Sequence, residues 1–175
     1  MILHADYFAG SATALAPDLL GKIICRRDDS TGEVLRARIT ETECYFGESD
    51  SACHAHRGRT PRTEVLYSAG GVAYVYLCYG MYDLFNIVTG PAGHPEAVLI
   101  RGIEGVDGPG RTTRKLGITR AHNRLPLVPE SGLWIEDDGF VFSNEKIDAL
   151  PRVGIGYASA EDQARLWRFK VKSKR

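Results

Sequence analysis

The spacing of apolar residues changes several times along the chain, and each change marks an expected element. Leu15, Leu19 and Leu20 recur at helical spacing, which predicts a short helix over 12–21 with Ser11 or Thr13 as its cap and Pro17 near its first turn. Two β-rich runs follow at 22–27 and 34–43. Asp28, Asp29, Ser30, Thr31 and Gly32 between them are turn formers, so the runs read as a hairpin. Positions 46–63 are polar, glycine-containing and without a period, too long for a passive connection, and read as a functional loop. In 72–78, Val72, Tyr74, Tyr76 and Cys78 alternate with Ala73, Val75 and Leu77; both sets are largely apolar, so both faces of this strand are expected to be covered. Tyr79, Gly80, Met81 and Tyr82 make a turn, and 83–89 is the return strand. A further β-rich run covers 97–104. A glycine-rich break at 105–110 precedes a basic helix near 111–116 that ends at Gly117. Short candidate strands lie at 133–136, 152–155 and 167–171. Many strands, few helices and no regular βαβ rhythm predict an α+β fold: one compact domain over 1–175, with a mixed, mostly antiparallel sheet flanked by short helices.

Composition adds mainly exclusions. A chain of 175 residues, 43% hydrophobic, suits one domain with a sizeable core. No apolar window reaches the ~18 residues of a membrane span. No basic patch followed by an apolar run opens the sequence. The expectation is a cytoplasmic protein (nucleoid-associated if bacterial) that is neither secreted nor membrane-bound. Cys25, Cys44, Cys53 and Cys78 form no CxxC pair and are expected as free, mostly buried thiols.

Charge is more informative in its distribution than in its sum. The 22 basic and 22 acidic residues cancel, which by itself speaks against a nucleic-acid partner. Yet Arg111, Arg114, Lys115, Arg120 and Arg124 occupy a stretch with no acid. Arg57, Arg59 and Arg62 cluster with His54 and His56. Arg165, Arg168, Lys170, Lys172, Lys174 and Arg175 form a basic C-terminal tail, expected to be flexible from about 170. Acids gather in Glu130, Glu136, Asp137, Asp138, Glu145 and Asp148. Such segregation permits a positive face on a neutral molecule, the alternative being a solvated mixed surface.

Candidate chemistry centres on Glu41 and Glu43. Strand alternation places both on one face and Thr42 on the other; two carboxylates one pleat apart repel, so one of them is expected to have a cationic or hydrogen-bonded partner, the alternative being an unremarkable pair at a solvent-facing strand end. The run Cys53-His54-Ala55-His56 invites a metal reading, but two further ligands at a recognisable spacing are missing, so neither metal nor cofactor is expected.

The segments ETECYFGESDSACHAHRGRTPRTEVLY, AYVYLCYGMYDLFNIV, AVLIRGIE, GPGRTTRKLGI and RVGIG occur in this order, and together they resemble the alkyladenine (3-methyladenine) DNA glycosylase family over about 18–169. The resemblance implies a single glycosylase domain with a protruding hairpin that inserts into DNA. It implies that Glu43 is the general base that activates water. Arg101 and the backbone carbonyl of Val153 would help hold that water. Tyr45, His54 and Tyr76 would sandwich an extruded base, and Asn86 would clash with the exocyclic amine of an undamaged guanine. Tyr79 would fill the space the base vacates, with Met81 and Tyr82 at neighbouring DNA-facing positions. Arg59, Arg62 and Arg111 would supply positive charge to DNA. The partner implied is double-stranded DNA carrying damaged purines, the protein acting as a monomer. None of the residues given a catalytic role by the resemblance is a lysine, so water rather than an amine is the expected nucleophile, without strand cleavage. Asp83 departs from the pattern by placing an acid beside the expected DNA face. Two other readings use the same residues: a non-catalytic damaged-DNA recognition module, and a metal-dependent hydrolase built on Glu41, Glu43, His54 and His56.

Overall fold

The computed structural model describes residues 1–173, in which α1 (Ala5–Phe8) and α2 (Ala12–Asp18) precede the hairpin β1 (Ile23–Arg27) and β2 (Val34–Phe46). A long loop follows, containing 3-10 turns at His54–Arg57 and Glu64–Tyr67. The central strands are β3 (Ala73–Cys78), β4 (Tyr82–Val88) and β5 (Glu96–Ile103). After β6 (Val106–Asp107) come α3 (Pro109–Leu116), β7 (Leu133–Glu136), β8 (Ile147–Leu150), α4 (Ala160–Ala164) and β9 (Arg168–Val171). The sheet runs β3-β4-β5-β2-β1-β7, with β6 on β5 and the β8–β9 pair on β2; every strand pairing among the described residues is antiparallel. The α+β architecture expected from the pattern is the one observed.

Strand alternation assigns the two sheet faces different tasks. Ala73 and Val75 of β3, Phe85 and Ile87 of β4, Val98 and Ile100 of β5, and Cys44 of β2 face the main core with Leu15 and Ala16 of α2 and Leu19 just beyond it. On that face the Thr42 hydroxyl donates to the carbonyl of Ala16 at 2.6 Å, fastening helix to sheet. Tyr74, Val88 and Ala97 face the other way and pack against Cys53, Ala55, Val65, Leu66 and Tyr67 of the long loop, with Tyr45 and Tyr76 at the margin. Both faces are therefore covered, as the doubly apolar 72–78 run predicts.

Several elements differ from expectation. The helix expected over 12–21 is α2, which stops at Asp18, and Pro17 sits near its end rather than in its first turn. The proline removes only one intrahelical N–H, and Leu19 still donates to the carbonyl of Leu15 at 2.8 Å, so a helix this short tolerates it. Ser11 is its cap, its hydroxyl accepting from the amide of Ala14. Residues 152–155 are not a strand; a side chain of that segment, not backbone pairing, holds it in place, as described below. The sequence gives no signal for β8, which has only four residues, none of them fully buried. The basic C-terminal segment is largely used up in structure. Arg168 and Lys170 lie in β9 and bridge to Glu41, while Arg165 pairs with Glu161 and Asp162. Lys174 and Arg175 lie outside the described residues.

Candidate active site

One row of paired residues crosses the loop-covered face: Tyr74 is opposite Asn86, Asn86 opposite Leu99, Leu99 opposite Glu43, and Glu43 opposite Arg168. Glu43 thus sits mid-sheet, and its neighbours on the same face of β2 are Glu41 and Tyr45. The register slips here. Thr42 pairs with Ile100 but Glu41 with Gly102, so β5 carries one extra residue, Arg101, at the bulge. That bulge aims Arg101 between the acids, its Nε 3.2 Å from Glu41 and 3.6 Å from Glu43. The alternation of Glu41 and Glu43 is as expected, and so is the need for cations: Glu41 has three, Arg101, Arg168 and Lys170.

The Glu43 carboxylate is 0% exposed and has its own donors. The Val153 amide donates to one oxygen at 2.7 Å and the Tyr45 hydroxyl to the other at 2.8 Å. Val153 meets Glu43 through its N–H, a contact that the sequence gives no reason to expect. Burial pushes the Glu43 carboxyl above its ordinary value, against the opposing pull of Arg101, the Val153 amide, the Tyr45 hydroxyl and Arg152. Burial also raises the Tyr45 hydroxyl, so it remains protonated and a donor.

A cavity of about 630 Å³ is walled by Tyr45, His54, Tyr76, Asn86, Arg101 and Val153 among others; Glu43 itself does not line it, but touches three residues that do, Tyr45, Arg101 and Val153. Its lining includes the sequence-predicted Arg62, Tyr79, Tyr82 and Arg111. His54 and Tyr76 are in edge contact, ring centroids 4.5 Å apart, so they form one wall, with Tyr45 as a separate surface. His54 hydrogen-bonds the Tyr74 hydroxyl through Nδ1 at 2.8 Å. Its pKa is lowered to about 4, first by burial and then by Arg62, so its ring is neutral at physiological pH. Asn86 is buried and donates to the carbonyl of Tyr74 at 3.2 Å, which fixes its amide against the strand.

At the cavity mouth the β3–β4 hairpin ends in a tight turn. Cys78 accepts from the amide of Met81 at 3.1 Å, and the two central residues, Tyr79 and Gly80, both have positive φ (52° and 65°). That is the signature of a type I′ turn. Tyr79 is 84% exposed and Met81 67%, so two large side chains stand in solvent at the tip. Tyr82 begins β4 instead of belonging to the turn. Asp83 is not a free acid beside the tip: Arg120 lies 3.0 Å from its carboxylate, and its carbonyl accepts from the Thr113 hydroxyl at 2.6 Å. Arg59 lies over the ring of Tyr67 at 4.4 Å and Arg62 over that of Tyr76 at 5.5 Å, both exposed. Arg111 is exposed at the first turn of α3.

His54 and His56 diverge, His56 bonding the carbonyl of Glu48 through Nδ1 at 2.7 Å. Among the described residues no three of His, Cys, Asp or Glu converge as metal ligands. Three lining or supporting residues escape sequence reasoning. Tyr157 reaches back to the carbonyl of Ala52 at 2.7 Å. Asp50 and Arg152 pair in the interior, separated by 102 positions, and nothing local marks them as partners.

A family model described as methylpurine-DNA glycosylase (MPG) matches residues 6–175. Three relatives share the name "Putative 3-methyladenine DNA glycosylase". That of Psychrobacter cryohalolentis is 43% identical, covering 90% of this chain and 86% of its own length. That of Myxococcus xanthus is 42% identical, over 94% of this chain and 89% of its own. That of Borrelia garinii is 40% identical, over 95% and 94%.

Proposed function

We propose, for a chain that belongs to the methylpurine-DNA glycosylase family, excision of damaged purines from double-stranded DNA as the first step of base repair. The substrates are alkylated or deaminated purines: 3-methyladenine and 7-methylguanine, with hypoxanthine and ethenoadenine as further members of the class. The observation that carries this reading is the buried Glu43 carboxylate, held from its two oxygens by Tyr45 and Val153, which themselves wall the aromatic cavity.

Chemistry on the glycosidic carbon requires the base to leave the helix, at a cost of a few kcal/mol. The exposed Tyr79 at the hairpin tip suits a side chain that occupies the gap and keeps the stack filled. An extruded base stacks between Tyr45 on one side and the His54–Tyr76 pair on the other. Alkylation at a ring nitrogen makes the purine cationic, and electron-rich tyrosine faces favour it by about 0.5–2 kcal/mol over a neutral base. Neutral His54 places no opposing positive charge there. Asn86, locked against Tyr74, discriminates against the exocyclic amine of guanine.

For hydrolysis, Glu43 takes a proton from water positioned with the help of Arg101 and the Val153 carbonyl. The water oxygen bonds to the sugar C1′ as the C1′–N bond breaks. In an alkylated, cationic purine the bonding pair returns to the ring and cancels its charge, leaving an abasic site and a free base; a neutral purine such as hypoxanthine leaves as an anion and takes a proton from solvent. A general base of this kind contributes about 10²–10⁴-fold. The proposal includes water as nucleophile without strand cleavage, and action as a monomer. No helix among the described residues is long and apolar enough to cross a membrane.

The test is chromatographic detection of free purine released from methylated duplex DNA, with chelator present and Glu43→Gln alongside. Release of methylated purines by wild type, and none by Glu43→Gln despite retained DNA binding, is expected. Equal release by both removes Glu43 as the base. Tight binding with no release by wild type on any lesion makes the protein a recognition module instead.

A further inference from the structure

Beneath the cavity, a guanidinium that never reaches it organises the groups that do. Arg152 is 0% and Asp50 1% exposed, and they form a two-pronged pair, Nη1 to Oδ2 at 2.7 Å and Nη2 to Oδ1 at 2.9 Å. Arg152 also donates to the carbonyl of Cys44 at 2.9 Å and that of Asp162 at 3.3 Å. Its guanidinium lies between two rings, 4.9 Å from the centre of Tyr45 and 5.0 Å from that of Trp167. Asp50 in turn accepts from the amides of Phe46 at 3.0 Å and Ala52 at 3.1 Å, anchoring it to the end of β2. One side chain therefore ties the 152–154 segment, which has no strand pairing of its own, to β2.

Both donors to Glu43 adjoin that tie. The Val153 amide is the next residue along the chain from Arg152, and the Tyr45 ring rests on the Arg152 guanidinium. We infer that Arg152, clamped by Asp50, is a positioning residue that orients the Glu43 carboxylate through two routes at once, the Val153 N–H and the Tyr45 O–H. It touches neither substrate nor water. A planar guanidinium is needed for this: a lysine ammonium supplies charge but neither the two-pronged bond nor the flat surface for two rings. The inference rests on Glu43 acting as the general base.

The experiment measures single-turnover base release from dimethyl sulfate-treated duplex DNA across pH, beside binding to duplex containing an abasic site. Wild type, Glu43→Gln, Arg152→Met, Arg152→Lys and Trp167→Leu are compared. Arg152→Met is expected to lose about 10²-fold in maximal rate, the penalty of a displaced catalytic group. Its acid limb moves to higher pH, because a nearby cation and a well-placed donor both favour ionised Glu43. Abasic-site affinity stays within about threefold, since no DNA contact is removed. Arg152→Lys returns the acid limb toward wild type while recovering little rate. Trp167→Leu, at a half-buried site, frees one side of the guanidinium and lowers the rate by about 3–10-fold. A folded Arg152→Met with the wild-type rate and acid limb overturns the inference. If Arg152→Met does not fold, full activity in Trp167→Leu overturns it instead. Release by Glu43→Gln at the wild-type rate is a separate failure, that of the general-base reading itself.

Discussion

Tyr79 is a bulky aromatic residue placed where backbone sterics favour glycine or asparagine. Its φ of 52° costs about 1–2 kcal/mol for a residue with a Cβ, and its ring finds no packing in return. Tyr79→Asn gives the Asn-Gly sequence that type I′ turns prefer, so it is expected to raise Tm by about 2–4 °C. The same substitution is expected to reduce excision by tenfold or more, of the order seen when a positioning contact is lost. A drop in both Tm and activity would argue that the ring supports the fold. Glu43 shows the same opposition between stability and use. Burial holds its folded-state pKa above the unfolded value of about 4.3. The stabilising contribution of the protonated acid is complete below the unfolded value and disappears as pH rises through the folded one. Glu43→Gln should therefore melt above wild type at pH 7, by an increment that grows with pH across that window and then levels off. Melting curves from pH 4 to 8 check this, and identical Tm values throughout would show that Arg101 and the two donors fully offset the burial. Glu43 and its side of β2 are legible in the sequence because alternation is a local property. The Asp50–Arg152 clamp is not, because each partner is an ordinary charged residue until the fold joins them.

At the scale of elements, the tip hairpin is braced by α3. Gly110, in the first turn of that helix, faces the Tyr82 ring so closely that an added Cβ would lie 2.6 Å from it. Thr113 further ties the helix to the carbonyl of Asp83. Gly110→Ala is therefore expected to destabilise by about 1–3 kcal/mol, the usual penalty of overpacking, and to weaken DNA binding by tilting the hairpin. Tyr82→Ala in the same chain should recover most of the stability, a coupling that a melting-based double-mutant cycle measures. Additive losses would place the clash elsewhere. The strands, the hairpin and the Gly117 terminus of α3 are foreseeable because their signals lie within a few residues: period two, a turn tetrapeptide, a glycine at φ 64°. The bulge that presents Arg101 is not foreseeable, since register belongs to two strands together. The segment 152–155 misleads for a related reason: its apolar residues suit a strand, but Arg152 fixes it by a side chain.

Across the whole molecule, equal numbers of acids and bases conceal an uneven surface. Arg165, Arg168, Lys170 and Lys172 are matched by Glu161, Asp162, Glu41 and Asp148, and so contribute little to an outer field. Arg59, Arg62 and Arg111 remain exposed around the cavity, Arg62 and Arg111 in its wall. Arg111→Gln is thus expected to reduce the slope of log affinity against log salt by about 1 on undamaged and damaged duplex alike. Lys172→Gln, removing a cation 3.5 Å from Asp148, should leave it unchanged. Equal slopes for Arg111→Gln and wild type would take Arg111 out of the phosphate contacts.

The groups around Glu43 also come from widely separated parts of the chain. Arg101 reaches Glu41 across 60 positions, Val153 reaches Glu43 across 110, and Arg168 reaches Glu41 across 127, whereas the tip hairpin closes on itself within a few residues. Contacts between distant segments form slowly, because the chain entropy of closing large loops is lost before the contacts repay it. On the proposed function, the order of folding acts as a safeguard: a partly folded copy would own the tip proposed to enter DNA, but would lack the assembled acid proposed to remove bases from it.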